Sequence, residues 1–391
     1  MERPTPDATP SNYFDALAAT PCLPEVVEAM LPYFSQTFHN PQSAYPPAES
    51  ALAAVGRARD RVARLINASP HDIFFTSGAT ESNNWALKGM ALHPRRRGRH
   101  IVASAIEHLS IVHPLRTLER QGIAVTWVPV DAHGVIDPAA VQAAIRPDTA
   151  LVTVTHASAE LGTIEPIAAI AAVCREQRVP LHVDAANTAG YVPVDAIGWD
   201  VDLLTLSPHL FYGPPGVGAL YAKRGLRLPP LLEGGTQEDG RRAGTENVPA
   251  IVGFGMAAEV ALRDMPSRAS RWLPLRDRLR DGLTAIPGVR ITGHPTQRLP
   301  HHVSCLADGV ESEAVLTDLA MRGIFAASGS ACSAKAGQHS HVLEAIGIGA
   351  DIQSGALVFG LTLHTAAAEI DALLAALSSA LAGLRTLAPR A

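Results

Sequence analysis

Seven short apolar runs between positions 73 and 221 decide most of what this chain can fold into. They cover 73–75, 100–103, 124–128, 150–154, 180–183, 201–206 and 217–221. Most are separated by amphipathic stretches, among them expected helices from about Glu81 and over 111–121. Apolar runs of strand length separated by helices read as a mostly parallel α/β sheet covered on both faces. In such a sheet, functional residues gather at the carboxyl ends of the strands.

From about Asn247 the pattern changes. A long helical stretch is expected over 248–285, then short strands at 289–291 and 302–305, a helix near 311–322, an irregular segment over 325–337, and an Ala/Leu-rich helix from Ala366. This predicts a smaller α+β unit. The expected organisation is a disordered, proline-rich lead over 1–12, a large α/β domain over 13–250, and a small α+β domain over 251–391. The segment from Phe14 to about Tyr45 is expected to pack across both.

Composition narrows the function classes. With 391 residues, 47% hydrophobic and 18% charged, the chain can bury large cores. A net charge of -5 and the lack of a basic stripe argue against nucleic acid. The cationic run at Arg95, Arg96, Arg97 and Arg99 reads as a solvated turn. No apolar run reads as a membrane span, and the polar N-terminus lacks a secretory core, so the expected location is the cytoplasm. The four cysteines, Cys22, Cys174, Cys305 and Cys332, are far apart and form neither a disulfide framework nor a structural zinc motif. Only three lysines are present, Lys88, Lys223 and Lys335.

Three motifs carry chemistry. In the first, Phe75-Thr76-Ser77-Gly78-Ala79-Thr80-Glu81, a strand runs through a glycine turn into a helix, which aims free backbone N–H groups at one spot and suits a phosphate. Ordinary helix capping uses the same residue types. In the second, Asp184 closes the apolar run of His182-Val183. A buried carboxylate there needs a charged partner, such as a protonated ring nitrogen, unless it merely caps a helix. The third is Ser207-Pro208-His209-Leu210, followed by the glycine-rich Gly213 to Gly218.

In this order and spacing the motifs resemble the cysteine desulfurases of the class V aminotransferase group, pyridoxal-phosphate (PLP) proteins of fold type I. The likeness runs from about Tyr13 to Ala380 and includes the opening Tyr13-Phe14-Asp15, Glu107-His108, the segment Gly234 to Thr245, and Ser328-Gly329-Ser330-Ala331-Cys332. The resemblance implies a large domain with a mostly parallel mixed sheet plus a smaller α+β C-terminal domain, and usually a homodimer. It implies that Ala79, Thr80, Ser207 and His209 hold the cofactor phosphate, with Thr245 from a partner chain. His108 would stack on the ring and Asp184 pair with its nitrogen. Asn187 stands where a glutamine makes the neighbouring ring contact. Cys332 would accept sulfur as a persulfide.

The chain departs from the family at three chemical positions. Leu210 replaces the Schiff-base lysine, which also moves protons on the substrate. Val358 stands where the family has an arginine that clamps the substrate carboxylate. Ala159 replaces an amide that contacts the ring hydroxyl. PLP, if bound, is then expected noncovalently, through its phosphate and ring.

The loop after Ser330 keeps Cys332, with Lys335, His339 and His341 following. Nearby cations favour a thiolate, and Cys332 is also a possible metal or Fe–S ligand, unless the loop is simply inherited. Three readings stay open. One is a non-desulfurase homologue acting in sulfur transfer or Fe–S assembly through Cys332, with a sulfur acceptor or Fe–S scaffold as partner. Another is an active PLP enzyme of altered chemistry, with His108 as base. The third is a regulatory subunit paired with an active paralogous desulfurase.

Overall fold

The computed structural model describes residues 12–93, 98–226, 228–329 and 339–387. The proline-rich lead through Ser11, the arginine run over 95–97, and Cys332 with Lys335 lie outside these residues.

A seven-stranded sheet forms the centre of the larger part. In chain order its strands are β1 (Ile73–Thr76), β2 (His100–Ser104), β3 (Ala124–Val128), β4 (Thr149–Thr155), β5 (Leu181–Asp184), β6 (Leu203–Leu206) and β7 (Gly218–Ala222). Their order across the sheet is β1-β7-β6-β5-β4-β2-β3. Only β7 opposes its neighbours, β1 and β6. The reason is local. The link from β6 to β7 is too short to hold a crossover helix, so the chain must turn back antiparallel. β1, β2, β4, β5 and β6 therefore all point their carboxyl ends at one edge.

Two buried histidines staple this sheet from within. His182 bridges Thr153 (2.9 Å) and Thr205 (3.0 Å) on the flanking strands, and His100 bridges Thr149 and Thr126, both at 2.8 Å. Each ring nitrogen thus finds a hydroxyl, as a buried polar group must. Burial holds the His182 imidazole down to about 3.

The second sheet is small and antiparallel, in the order β10 (Ala356–Gly360), β9 (His302–Ala307), β8 (Val289–Ile291). The sequence pattern did not mark β10 as a strand. The long helix Val248–Thr284 contacts both parts of the molecule. Its first half packs on the helix Pro46–Leu65, where a β-carbon on Gly255 would fall 2.6 Å from the Ala58 Cα. Its second half packs on β8, β9 and the C-terminal helix Ala367–Leu387.

That C-terminal helix is long and apolar enough, by length and composition, to cross a membrane, contrary to the sequence expectation. Its Ile370, Leu373, Leu377 and Leu381 are fully buried against neighbouring helices, while Ala372, Ser378 and Ser379 face outward. Such one-sided packing is that of an amphipathic helix laid on the surface of a core.

The N-terminal segment touches both sheets' surroundings. Tyr13 bridges to Phe325 and Asp15 to Gly360 beside β10. A few residues on, the Thr20 N–H donates to the His209 carbonyl (3.0 Å) and the Leu23 N–H to that of Tyr212 (3.2 Å).

Candidate active site

The carboxyl edge of the large sheet opens into a cavity of about 550 Å3. It is floored by residues following β1, β2, β4, β5 and β6 and roofed by 327–329, His341 and Val358 of the smaller part. Ala79, Thr80, His108, Asp184, Asn187, Ser207 and His209 all line it, as do Leu210, Ala159 and Val358. Thr245 does not line it and is exposed on the surface.

The phosphate-type cradle forms at one end. β1 ends at Thr76, and Gly78 precedes the helix Ala79–Ala91 with no side-chain cap on its free N–H groups. The first amides of a helix have no partner within it and face an incoming anion. Glu81 steadies the turn by accepting from the Ser77 N–H (2.8 Å) and from Arg242 (2.9 Å). Close beneath lies Gly218 of β7, where a β-carbon would sit 2.6 Å from the Gly78 Cα and carbonyl carbon. The cradle can approach the sheet this closely only because position 218 is glycine.

Opposite the turn, Ser207 Oγ and His209 Nδ1 are hydrogen-bonded at 2.7 Å. The short 3-10 turn Pro208–Leu210 is held by Thr20 on one side, through the His209 carbonyl (2.9 Å), and by the Tyr191 hydroxyl, which donates to the Leu210 carbonyl. The backbone is thus tightly placed, and Leu210 presents a buried aliphatic side chain to the cavity.

A polar chain connects Asp184 to His108. One Asn83 N–H donates to Asp184 Oδ2 (2.7 Å) and the other to Ser110 Oγ (2.8 Å). Ser110 Oγ lies 2.8 Å from His108 Nδ1, which also accepts from the Ser110 N–H (3.1 Å). Since Ser110 already accepts from Asn83 and faces an acceptor nitrogen, its hydroxyl proton points at His108. That leaves Nε2 to carry the imidazole proton. Asp184 takes a further bond from the Ala186 N–H (3.0 Å). Neither Asn83 nor Ser110 was singled out from the sequence. The available signal was Asn83 itself, a polar residue on the apolar stripe of Ala86, Leu87 and Met90 at helical spacing.

Several carboxyls are pressed into this region. Glu107 is fully buried; it accepts from Ser104 (2.6 Å) and the Thr155 N–H (2.8 Å), and burial pushes it up to about 8. Glu160 accepts from Ser340 (2.6 Å) and is pushed up to about 7 by burial. Asp15 keeps a buried oxygen without a protein partner, and desolvation raises it to about 6.

The expected departures lie where the pocket needs its chemistry. Val358 is buried in β10, paired to Ala327 through its N–H (2.8 Å). Ala159 offers only its carbonyl, which His302 holds at 2.8 Å. The Asn187 amide reaches the Ala157 carbonyl at 3.4 Å. His341 donates to the Glu107 carbonyl (2.8 Å), while His339 is exposed. Of the described lysines, Lys223 pairs with Asp200 (2.5 Å), and Lys88 lines a shallow neighbouring groove with Thr80 and His108. Among the described residues no Lys or Arg lines the main cavity.

Residues 12–373 match the family model of the class-V aminotransferases. The chain belongs to that family. It is 43% identical to the cysteine desulfurase IscS of Methanosarcina thermophila, over 96% of this chain and 93% of that one. It is equally similar to cysteine desulfurase IscS 1 of Archaeoglobus fulgidus, at 43% over 96% of this chain and 98% of that one. Among solved structures, a NifS-like protein superposes with a TM-score of 0.89 at 33% identity, covering 95% of this chain and 99% of that one. The chain is therefore a cysteine desulfurase-like protein with the α/β fold of the PLP enzymes of fold type I. The cavity at the carboxyl edge gathers the residues that the resemblance assigns to PLP, Thr245 apart, and PLP is the cofactor this family implies.

The residues present fit that cofactor at three of its contacts. The uncapped helix start with Ser207 and His209 suits a dianionic phosphate. His108 is a planar group locked in orientation by Ser110. Asp184 is a buried carboxylate already held by an amide and a backbone N–H. The covalent anchor is the contact that Leu210 cannot make.

Proposed function

We propose that this chain keeps the PLP pocket of the cysteine desulfurases but does not itself release sulfur from cysteine by the family's lysine-dependent route. The observation that carries this reading is Leu210. Its side chain lines the cavity on a turn clamped by Thr20 and Tyr191, and among the described residues no lysine lines that cavity.

PLP, when bound, supplies an electron sink next to the substrate's reacting carbon. In this chain Ala79, Thr80, Ser207 and His209 would bind its phosphate, His108 would cover the ring, and Asp184 would hold a proton at the ring nitrogen. Leu210 contributes neither an amine nor a proton acceptor. Val358 contributes no cation. The pocket's own groups therefore bind and orient, but they do not move a proton where the family's lysine would.

The remaining role is sulfur transfer or Fe–S assembly through Cys332, in the cytoplasm and with a sulfur-acceptor or scaffold protein as partner. Membership in the cysteine desulfurase group supports the sulfur-transfer part. A homodimer is supported by three exposed large apolar side chains close together in sequence, Leu31 (58% exposed), Phe34 (63%) and Phe38 (66%).

The test uses the purified full-length chain. Absorbance is scanned with and without added PLP, the sample is treated with borohydride, and sulfide release from cysteine is measured. The expected result is PLP that dialyses away, no phosphopyridoxylated peptide, and no sulfide. A borohydride-fixed PLP on Lys335, or sulfide release at the rate of a working desulfurase, would overturn the reading. Iron–sulfur absorbance lost in Cys332→Ala would add a cluster ligand to the role of that cysteine.

A further inference from the structure

The charges that the described residues bring to the cavity point away from an amino acid. Five carboxyls line it: Asp15, Glu81, Glu107, Glu160 and Asp184. Three accept from protein donors: Glu81 from Arg242 and Ser77, Asp184 from Asn83 and Ala186, and Glu107 from Ser104 and Thr155 through Oε1, its Oε2 being buried without a partner. The other two stand near Val358. Asp15 bridges to Gly360, two residues along β10 from Val358, and its Oδ1 is buried with no partner. Glu160 borders Gly329, at which a β-carbon would touch both Val358 Cγ2 (2.9 Å) and Glu160 Cβ (3.7 Å). Glu160 uses one oxygen on Ser340.

Nothing described at that end offsets a negative ligand. The cavity's basic side chains among the described residues are His108, His209 and His341. Burial lowers both His209 and His341, and His108 is held with Nδ1 as an acceptor. A carboxylate brought beside Val358 would meet an aliphatic wall between two carboxyls, with no cationic Lys or Arg side chain among the described residues to offset its charge. An ammonium there would instead be attracted by Asp15 and Glu160, the two carboxyls that line this end.

We propose that the Asp15–Val358–Glu160 end of the cavity selects an amine-bearing ligand that lacks a carboxylate. This rests on the reading of the cavity as a retained PLP pocket, and it names the class of compound that fills the rest of it: a small primary amine or diamine rather than an α-amino acid.

The experiment measures dissociation constants on the full-length chain for four stable ligands that share the phosphate and ring. They are pyridoxamine phosphate and the N-phosphopyridoxyl derivatives of ethylamine, ethylenediamine and alanine. Alanine differs from ethylamine only by its carboxylate, and ethylenediamine only by its terminal ammonium. The alanine derivative is expected to bind at least about tenfold more weakly than the ethylamine one, and the ethylenediamine derivative most tightly. Asp15→Asn should erase the advantage of the diamine, and Val358→Arg should reverse the order of alanine and ethylamine. Since an arginine buried in β10 can cost folding, the wild-type ligand series decides by itself. An alanine derivative that binds as tightly as the ethylamine one overturns the selectivity while leaving the pocket reading intact. Failure of pyridoxamine phosphate to bind at all overturns the pocket reading, and this proposal with it.

Discussion

Asn83 Nδ2 lies 2.7 Å from Asp184 Oδ2 and 2.8 Å from Ser110 Oγ, so one amide orients both the acid at the end of β5 and, through Ser110, the imidazole of His108. Replacing it by alanine leaves a buried carboxylate with one donor fewer and frees the Ser110 hydroxyl. Asn83→Ala should lower thermal stability by about 1–3 kcal/mol and weaken pyridoxamine phosphate binding by about tenfold. Ser110→Ala, which breaks only the second half of the chain, should affect binding less. Differential scanning fluorimetry and fluorescence titration on the two variants check this. Equal binding by Asn83→Ala and wild type would show that the chain does not orient the pocket.

Leu210 can be changed back. The turn that carries it is fixed by Thr20 and Tyr191, so a lysine there starts from a well-placed backbone. Leu210→Lys is expected to capture PLP covalently, seen as a borohydride-fixed phosphopyridoxyl group on residue 210 by peptide mass spectrometry. Sulfide release from cysteine should stay near background until Val358→Arg is added, because the carboxylate still lacks its clamp.

Stability should depend on pH in a defined way. Burial raises Glu107 and Glu165 to about 8. The folded state then holds protons that the unfolded chain releases above 4.5, and this contribution is lost as pH rises through 8. Burial lowers His182 and His302 to about 3 and His156 to about 4, so their contribution is present above 6.5 and lost as pH falls toward those values. Between 4.5 and 6.5 the two slopes oppose each other, so the midpoint of thermal unfolding should pass through a broad maximum there and fall on either side. Glu107→Gln, which removes one titrating group, should flatten the alkaline limb. An unchanged slope between pH 7 and 8 in that variant would sink the assignment.

The contact of Gly218 with Gly78 admits no side chain. Gly218→Ala would set a methyl 2.6 Å from main-chain atoms that cannot swing away. A loss of about 1–3 kcal/mol in urea unfolding is expected, as for overpacked cores. Binding of inorganic phosphate or pyridoxamine phosphate should weaken in the surviving folded fraction, because the cradle is pushed outward.

The exposed apolar face gives an oligomer test. Phe34→Glu with Phe38→Glu places two charges where Leu31, Phe34 and Phe38 now face solvent. Sedimentation velocity should show a dimer for wild type and a monomer for the double variant. A wild-type chain that sediments as a monomer at micromolar concentration would refute the homodimer.

Much of this molecule was legible in its residues. The spacing of apolar runs marked all seven strands of the large sheet, since a buried strand must be apolar on both faces. The Ser77–Thr80 turn, Asp184 and the Ser207–Leu210 turn were recognisable as local patterns, and the loss of lysine at Leu210 is a fact of sequence alone. Other features depend on contacts between distant positions. β10 reads as an ordinary apolar stretch until β9 pairs with it. Asn83 means little until β5 brings Asp184 and the helix Leu109–Arg120 brings Ser110 to either side of its amide. Asp15, Val358 and Glu160 are separated by most of the chain, and no local rule relates them. Their shared position is set by the bridge of Asp15 to Gly360 and by the packing around Gly329. Periodicity and turn chemistry are properties of neighbours in sequence, so the chain alone determined the sheet and the missing amine. The charge that a ligand meets is a sum over residues joined only by packing, so the tertiary structure decided it.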